Sequence, residues 1–324
     1  MTRAVRALVL LALVSISSGC GGDQSTLAPE TTPAREIADL WWVMFTGSAI
    51  VCAVVIVLVL IAVLRGRGAA PRVRDDRRTL RLVLVAGAVI PFVVLTGLFA
   101  LILDTLRSTS ASAGGAPSLI VRVTGRQWFW DVRYPSGNVV TANEIHLPAG
   151  TPVKLEATTA DVIHSVWIPR LHRKIDMIPG RTNSLVFDVP RPGVFRGQCA
   201  EFCGLQHAKM GLLIVVQPPR AFRRWLAHQA EPARRGAGLA TFVDVGCGGC
   251  HAIRGTEARG NAAPDLTHLA SRMTIAAASL PNRPGYLAGW IVDPQHAKPG
   301  AKMPGLDLPG RELQSLLDYL STLR

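Results

Sequence analysis

Hydrophobic positions along the chain first mark two long apolar runs, at residues 41–64 and 80–103, in which Arg81 is the only charged residue. A helix needs about 20 apolar residues to cross the hydrocarbon core of a membrane, and either run is long enough. A buried core helix is the alternative for each run, but two such runs around an Arg-rich loop are typical of a membrane hairpin. The pattern therefore predicts a transmembrane hairpin over residues 37–107.

The hydrophobic pattern changes after a linker of small residues at 108–118. Between residues 117 and 219, short segments alternate apolar and polar positions between turn residues, which predicts an all-β Greek-key barrel or sandwich. Residues 220–236 turn basic, begin as a helix and then form a loose linker. Residues 237–324 lack the strand pattern, and their short helical segments between Pro/Gly loops predict an all-α domain.

Residues 1–20 have the pattern of a signal peptide, with two arginines before a short apolar core. Cys20 stands where a bacterial lipoprotein carries its lipid, although Ser17 replaces the Leu that usually precedes such a site. Lipidation of Cys20, ordinary cleavage nearby and no cleavage all stay open. The polar residues 21–36, which include two prolines, predict a flexible tether.

The formal net charge of +13 would by itself allow a nucleic-acid partner. The arginines, however, concentrate in the loop between the two apolar runs, and the positive-inside rule places such a loop on the cytoplasmic side. Both chain termini and the C-terminal regions then lie on the outer side. The charge therefore indicates membrane topology, with lipid as a partner, and argues against nucleic acid.

Soft metal ligands concentrate in one short segment, which contains Cys199, Cys203, His207 and Met210. His164 offers a second imidazole from an earlier strand region. Thiolate, thioether and imidazole groups favour copper, and a mononuclear blue-copper site uses a single Cys. Two cysteines can instead bridge two copper ions, with one His for each. Structural zinc and a Cys199–Cys203 disulfide are the alternatives.

A second cofactor motif begins the C-terminal region, where Cys247, Cys250 and His251 form the C-x-x-C-H pattern of covalent haem c attachment. The adjacent His is placed to ligate iron, and a Met or His is expected opposite it. Met303, in a Pro/Gly loop before the last helix, is the predicted sixth ligand. The alternatives for that position are Met273, His268 and His296.

Four segments resemble subunit II of haem–copper cytochrome c oxidases. They are the neighbourhood of His164, CAEFCGLQHAKM at 199–210, GRQWFWD at 125–131 and KIDMIPGR at 174–181. The resemblance implies a cupredoxin-like domain on a two-helix hairpin, and the region after it is similar to a fused class I cytochrome c. The fold expected is thus a multidomain membrane protein with a transmembrane hairpin, an all-β Greek-key domain and an all-α cytochrome c domain.

The resemblance also implies roles for single residues. The ligands of a dinuclear copper (CuA) centre would be His164, Cys199, Glu201 through its carbonyl, Cys203, His207 and Met210. The Glu201 side chain would reach a magnesium ion shared with subunit I. Trp128 would be the residue through which electrons reach the copper centre, although a cross-strand aromatic pair that holds the sheet is the simpler alternative.

By resemblance, the chain would pass electrons from its haem c to the copper pair and on to the haem of subunit I, which reduces oxygen and pumps protons. Its expected partners are subunits I and III and an upstream cytochrome c or quinol:cytochrome c reductase, at a bacterial plasma membrane. The oxygen-reducing site would lie outside this chain. The alternatives are a CuA subunit of a nitric oxide reductase and a membrane-tethered carrier that serves no oxidase.

Overall fold

A computed structural model describes residues 22–66, 76–110 and 117–324. It separates into two compact units, of which one is Arg35–Ala111 and the other contains the remainder of the chain. The predicted signal peptide, Cys20 and most of the Arg-rich loop lie outside the described residues.

The first unit consists of long apolar helices. They are α1 (Thr32–Gly66), α2 (Asp76–Leu84) and α3 (Ile90–Ser110), with a π-helical turn at Val85–Val89 between the last two. Their apolar side chains point outward, so that Leu58 is 60% and Phe92 71% exposed. Exposure of large apolar surface on this scale is expected of helices that face lipid. Both helical stretches are long and apolar enough to cross a membrane.

Helix α1 begins well before the apolar run, inside the stretch predicted as a flexible tether. The Thr31 hydroxyl accepts a hydrogen bond from the Ala34 amide and so caps the helix, and proline at position 33 suits a first turn. The residues before the helix are also bound, because Glu30 contacts Arg170 at 2.6 Å and Arg191 at 2.9 Å. This segment is thus ordered by capping and ion pairs, which the apolar pattern did not reveal.

The β domain, which we define as residues 117–217, contains ten strands in two five-stranded sheets. The strands are β1 (Leu119–Arg126), β2 (Phe129–Tyr134), β3 (Val139–Ala142), β4 (Glu144–Pro148), β5 (Val153–Thr159), β6 (His164–Trp167), β7 (Ile175–Met177), β8 (Asn183–Phe187), β9 (Gly193–Cys199) and β10 (Gly211–Gln217). The sheet orders are β3-β2-β1-β5-β8 and β4-β10-β9-β6-β7. Strands β1 and β5 pair in parallel, as do β4 and β10.

The two sheets bury the apolar face of each alternating strand. In β5, every second residue from Val153 to Thr159 is buried, as the two-residue period of a strand requires. Trp130, Tyr134 and Phe187 are among the largest fully buried side chains. Strand β4 differs, since all five of its residues are buried. Its second face is covered by elements that follow the β domain.

One of these covering elements is α4 (Pro219–Ala230), which lies within the stretch predicted as a linker. It packs on the β domain because Phe222 enters the core of that domain and Trp225 stacks on the His146 ring, with centroids 4.0 Å apart. The connection to the last domain is therefore shorter than expected, about residues 231–235.

The helical domain, which we define as residues 236–324, has its own apolar core. Its elements are α5 (Gly238–Asp244), α6 (Pro284–Val292), α7 (Pro294–Ala297) and α8 (Gly310–Thr322), with a small hairpin of β11 (Thr274–Ile275) and β12 (Leu280–Pro281). Leu316 and Leu320 of α8 are buried in the core, together with Phe242 of α5. The hairpin reaches the β domain, where the Gly211 amide donates to the Ala277 carbonyl at 3.0 Å.

Candidate metal-binding site and C-terminal cavity

Two buried thiols form the centre of the candidate metal site. Cys199 ends β9 and Cys203 lies in the loop after it, with their Sγ atoms 3.8 Å apart. A disulfide requires about 2.05 Å, so both sulfurs are free to bind metal. The hydrogen bond between the two thiols lowers the pKa of Cys199 and raises that of Cys203.

His164 is fully buried at the start of β6 and presents its Nδ1 to Cys199 Sγ at 3.9 Å. Its other ring nitrogen, Nε2, lies 2.8 Å from Asp161 Oδ1. A carboxylate at that place holds the proton on Nε2 and leaves Nδ1 as a free electron pair, as in many metal-binding histidines. Burial lowers the pKa of His164, but its hydrogen bonds to Cys199 and Asp161 outweigh this and raise it.

His207 and Met210 complete the ring of soft donors. His207 Nδ1 lies 3.7 Å, and Met210 Sδ 3.8 Å, from Cys203 Sγ. A 3-10 turn at His207–Lys209 allows two residues three apart to face the same sulfur. Met210 is fully buried, so its thioether is held inside the site and is shielded from solvent.

Glu201 faces the site with its backbone and not with its side chain. Its carbonyl oxygen lies 3.2 Å from Cys199 Sγ. Its carboxylate instead meets Lys174 Nζ at 3.3 Å, and the pKa of Lys174 is raised by its hydrogen bonds to Asp176 and Glu201. The carbonyl is thus available as a weak ligand, whereas the carboxylate belongs to the surface.

These donors fit a copper pair better than a single zinc ion. A metal–thiolate bond is about 2.3 Å long, so sulfurs 3.8 Å apart can both bind the same ion and can bridge two. Each sulfur also has a His nitrogen beside it. Zinc gains nothing from a buried thioether, whereas thioether and thiolate ligands select copper.

Trp128 connects this site with the helical domain. Its indole Nε1 donates to the Cys203 carbonyl oxygen at 2.9 Å. From the other side, Lys302 Nζ lies 5.7 Å from the centre of the indole ring, a cation–π distance. The indole therefore lies between a candidate metal ligand and the loop that contains Met303.

The helical domain contains a cavity of about 350 Å³, and the residues of the haem motif form part of its wall. Cys247, Cys250, His251 and Met303 all line it, and so does Trp128 of the β domain. Both cysteines are free thiols, as covalent attachment to haem requires. A mostly apolar cavity with two thiols, an imidazole and a thioether fits a haem c.

His251 is prepared to act as a ligand. Its Nδ1 lies 2.7 Å from the Pro264 carbonyl oxygen, which accepts the ring proton. Burial lowers the pKa of His251, so the imidazole is neutral near pH 7 and Nε2 keeps its electron pair. A backbone carbonyl behind an axial His is a common way to fix its tautomer.

The alternatives to Met303 are placed elsewhere. Met273 is half exposed and does not line the cavity. His268 is buried and both its ring nitrogens face backbone carbonyls, of Arg324 and Glu231. His296 is on the surface. Among the described residues considered for the sixth position, Met303 alone lines the cavity.

Three buried polar residues of this region could not be predicted from the sequence. Arg272 and Lys298 are buried and line the cavity, and burial lowers the pKa of Lys298 to about 8. Glu144 of β4 is 1% exposed and accepts hydrogen bonds from the amides of Met273 and Thr274. No local spacing marks Glu144, because its partners lie in another domain.

Comparison with known proteins agrees with the division of the chain into a β domain and a helical domain. The family described as "Cytochrome C oxidase subunit II, periplasmic domain" matches residues 136–217, and the family "Cytochrome c" matches residues 236–324. The chain is similar to cytochrome c oxidase subunit 2 of Alkalihalophilus pseudofirmus, at 31% identity over 99% of this chain and 97% of the relative. The corresponding protein of Bacillus subtilis is 29% identical over 100% and 99%.

Among solved structures, the chain is similar to the periplasmic domain of subunit II of cytochrome oxidase (CoxB) of Bradyrhizobium japonicum. The identity is 33%, and the match covers 36% of this chain and 95% of that one, with a TM-score of 0.35.

Proposed function

The chain belongs to the cytochrome c oxidase subunit 2 family, and we propose that it passes electrons from a covalently bound haem c to a dinuclear copper centre and on to the haem of subunit I. As a member of that family with a cytochrome c domain, it is an electron-transfer subunit of a haem–copper oxidase. It is anchored in a membrane and has an extracytoplasmic domain.

The observation that carries the proposal is the position of Trp128, which lines the cavity of the helical domain and donates a hydrogen bond to Cys203. A single side chain therefore bridges the two candidate cofactor sites. Electron transfer between cofactors needs short, continuously packed paths, and this contact provides one without an encounter between separate proteins.

In the proposed copper centre the ligands are His164, Cys199, the Glu201 carbonyl, Cys203, His207 and Met210. When bound, copper and haem each supply reversible one-electron chemistry. Asp161 keeps the His164 ring in the metal-binding tautomer, and the buried thioether of Met210 excludes water from one side. Because the ligand atoms are already grouped, little rearrangement is needed when the charge of the centre changes.

In the proposed haem site Cys247 and Cys250 would hold the cofactor covalently, and His251 and Met303 would ligate its iron. Pro264 fixes the His251 proton on Nδ1. A Met ligand raises the reduction potential of a haem relative to a His ligand, which suits a haem that passes its electron onward to copper.

We assign the remaining steps to partners. Subunit I would reduce oxygen to water and pump protons, and the Glu201 carboxylate would bind a magnesium ion shared with it by exchanging its contact with Lys174. Subunit III and an upstream cytochrome c or quinol:cytochrome c reductase complete the proposed set. The termini and both domains would face the outer side, with the Arg-rich loop in the cytoplasm and Cys20 as a possible lipid anchor.

The test is a metal and haem analysis of the purified full-length chain, followed by rapid reduction with a small electron donor. We expect two copper ions and one covalent haem per chain, and copper reduction that follows haem reduction. Trp128→Ala should slow the step from haem to copper with unchanged cofactor content, and Trp128→Phe should slow it less. One copper ion per chain, or zinc in its place, would refute the dinuclear centre.

A further inference from the structure

Two irregular loops face each other where the β domain meets the helical domain. The first, residues 203–210, contains three of the proposed copper ligands, and we name it the copper loop. The second, residues 297–303, ends at the proposed haem ligand Met303, and we name it the methionine loop. Most of the methionine loop has no regular secondary structure, so its conformation depends on the contacts that its backbone makes.

Side chains of the copper loop bind the backbone of the methionine loop directly. The Gln206 amide group donates from Nε2 to the Pro299 carbonyl oxygen, and Gln206 is 3% exposed. Lys209 Nζ donates to the Ala297 carbonyl oxygen. Two successive parts of the methionine loop are therefore fixed by residues of the other domain.

The Leu205 side chain of the copper loop also approaches the methionine loop closely at Gly300. Its φ of +85° lies in the left-handed region that favours glycine, and a Cβ added there would lie 2.8 Å from Leu205 Cδ1 of the copper loop. The sequence thus keeps a glycine at the point where the loops meet.

The helical domain supports the methionine loop chiefly through Gln295, which also donates to the Met303 carbonyl at 3.3 Å. Its side chain accepts from the Gly300 amide at 2.7 Å and donates to the Ala301 carbonyl at 2.8 Å.

Two lysines of the methionine loop contact the β domain across the interface. Lys302 Nζ lies 3.2 Å from Gln127 Oε1, and Lys298 Nζ lies 3.5 Å from the Trp128 carbonyl. The β domain therefore supplies a large share of the polar contacts of this loop.

From these contacts we propose that Gln206 and Lys209 of the copper loop are positioning residues for Met303, so that docking of the β domain holds the axial methionine on the haem. The inference rests on the proposed function, since it takes Met303 as the haem ligand. Its consequence is that the ligation of the haem depends on residues that neighbour the copper ligands. The haem acquires its full Met ligation only in the docked chain.

Titration with a competing haem ligand measures how firmly the docked β domain holds Met303 in place. Imidazole binds haem iron only after Met303 leaves, so its apparent affinity reports the equilibrium between the closed and open methionine loop. One hydrogen bond contributes about 0.5–1.5 kcal/mol net to the closed state. Loss of the Gln206 bond should therefore tighten apparent imidazole binding roughly 2- to 12-fold. Removal of the Lys209 contact should act in the same direction by less, since that side chain is exposed.

The experiment titrates full-length, haem-loaded chain with imidazole and follows the absorption band of Met-to-iron charge transfer, with copper content measured in each sample. The variants are Gln206→Ala, Lys209→Ala and both together, and Phe202→Ala is the matched control. Phe202 belongs to the same segment and is 77% exposed, and its ring lies beside His207 of the copper loop, with centroids 5.8 Å apart. We expect the control to titrate like the wild type and the double variant to bind imidazole most tightly.

Two results would overturn the proposal, and they differ in what else they refute. Unchanged imidazole affinity in both single variants, while Met303→Ala abolishes the band, would refute the positioning role and leave the proposed function intact. If Met303→Ala left the band unchanged, both the haem ligand assignment and the positioning role would be refuted. Should Gln206→Ala lose copper, Lys209→Ala with full copper content still decides the question.

Discussion

Glu144 is the buried carboxylate that should matter most for docking of the two domains. One of its oxygens, Oε1, accepts from the Met273 amide at 2.7 Å, the Thr274 amide at 2.9 Å and the Thr274 hydroxyl at 3.2 Å. In Glu144→Ala both amides, which are partly buried, lose their acceptor. A hydrogen bond to a charged group contributes about 1.5–3 kcal/mol, so the docked state should lose at least about 2 kcal/mol.

Hydrogen–deuterium exchange of the peptide that contains Met273 and Thr274 measures this loss directly. A cost of at least about 2 kcal/mol corresponds to exchange roughly 25-fold faster or more at these amides, because exchange through local opening follows the opening free energy. Glu144→Gln should have a smaller effect, since its amide oxygen can still accept. Glu156→Ala is the matched control, as Glu156 pairs with Arg122 and Lys154 on the surface of the β domain. Unchanged exchange in Glu144→Ala would show that this carboxylate does not hold the interface.

Three further outcomes are expected. Cys199→Ser should abolish copper binding and leave the covalent haem intact, which metal analysis and the haem spectrum of the same sample would report; retention of two copper ions would contradict the ligand set. Burial lowers the pKa of His172 to about 4, so the folded state holds a neutral ring while the unfolded state binds a proton below about 6.5. Stability should thus fall by about 3 kcal/mol as pH drops from 6.5 to 4, and His172→Gln should flatten that part of the unfolding profile; an identical profile would exclude His172 as the cause. Glu30→Ala should raise limited proteolysis of the segment before α1 about fivefold, for a loss of about 1 kcal/mol, and an unchanged cleavage rate would show that its contacts with Arg170 and Arg191 do not order this segment.

Most of the candidate metal donors could be proposed from the sequence because they lie close together along the chain. Cys199, Cys203, His207 and Met210 lie within one turn-containing segment, and the structure brings their side chains together with His164. The helical hairpin, the β domain and the cytochrome c domain were likewise predicted from hydrophobic periodicity and from the resemblance, and this architecture is confirmed.

What local patterns could not predict are contacts between parts of the chain that are distant in sequence. Glu144 meets residues 273 and 274, and nothing in the strand EIHLP shows that its outer face is covered. The start of α1 at Thr32 was missed for a related reason. Apolar periodicity identifies the part of a helix that lies in lipid, whereas the polar first turn is fixed by the Thr31 cap and by contacts with Arg170 in the β domain.

The interface between the two soluble domains also changes how the charge of this subunit should be understood. A subunit that captures a free, basic cytochrome c needs an acidic docking surface to raise the association rate. In the proposed function the donor domain belongs to the same chain, so its effective concentration at the copper site would be high without any such attraction. Lys298 and Lys302 of the helical domain lie beside Trp128, and the cations that would otherwise steer a soluble donor are instead held in a fixed intramolecular contact. The basic net charge of the chain is therefore compatible with the proposed electron transfer to copper, because the fused domain would reach the copper site without attraction by surface charge.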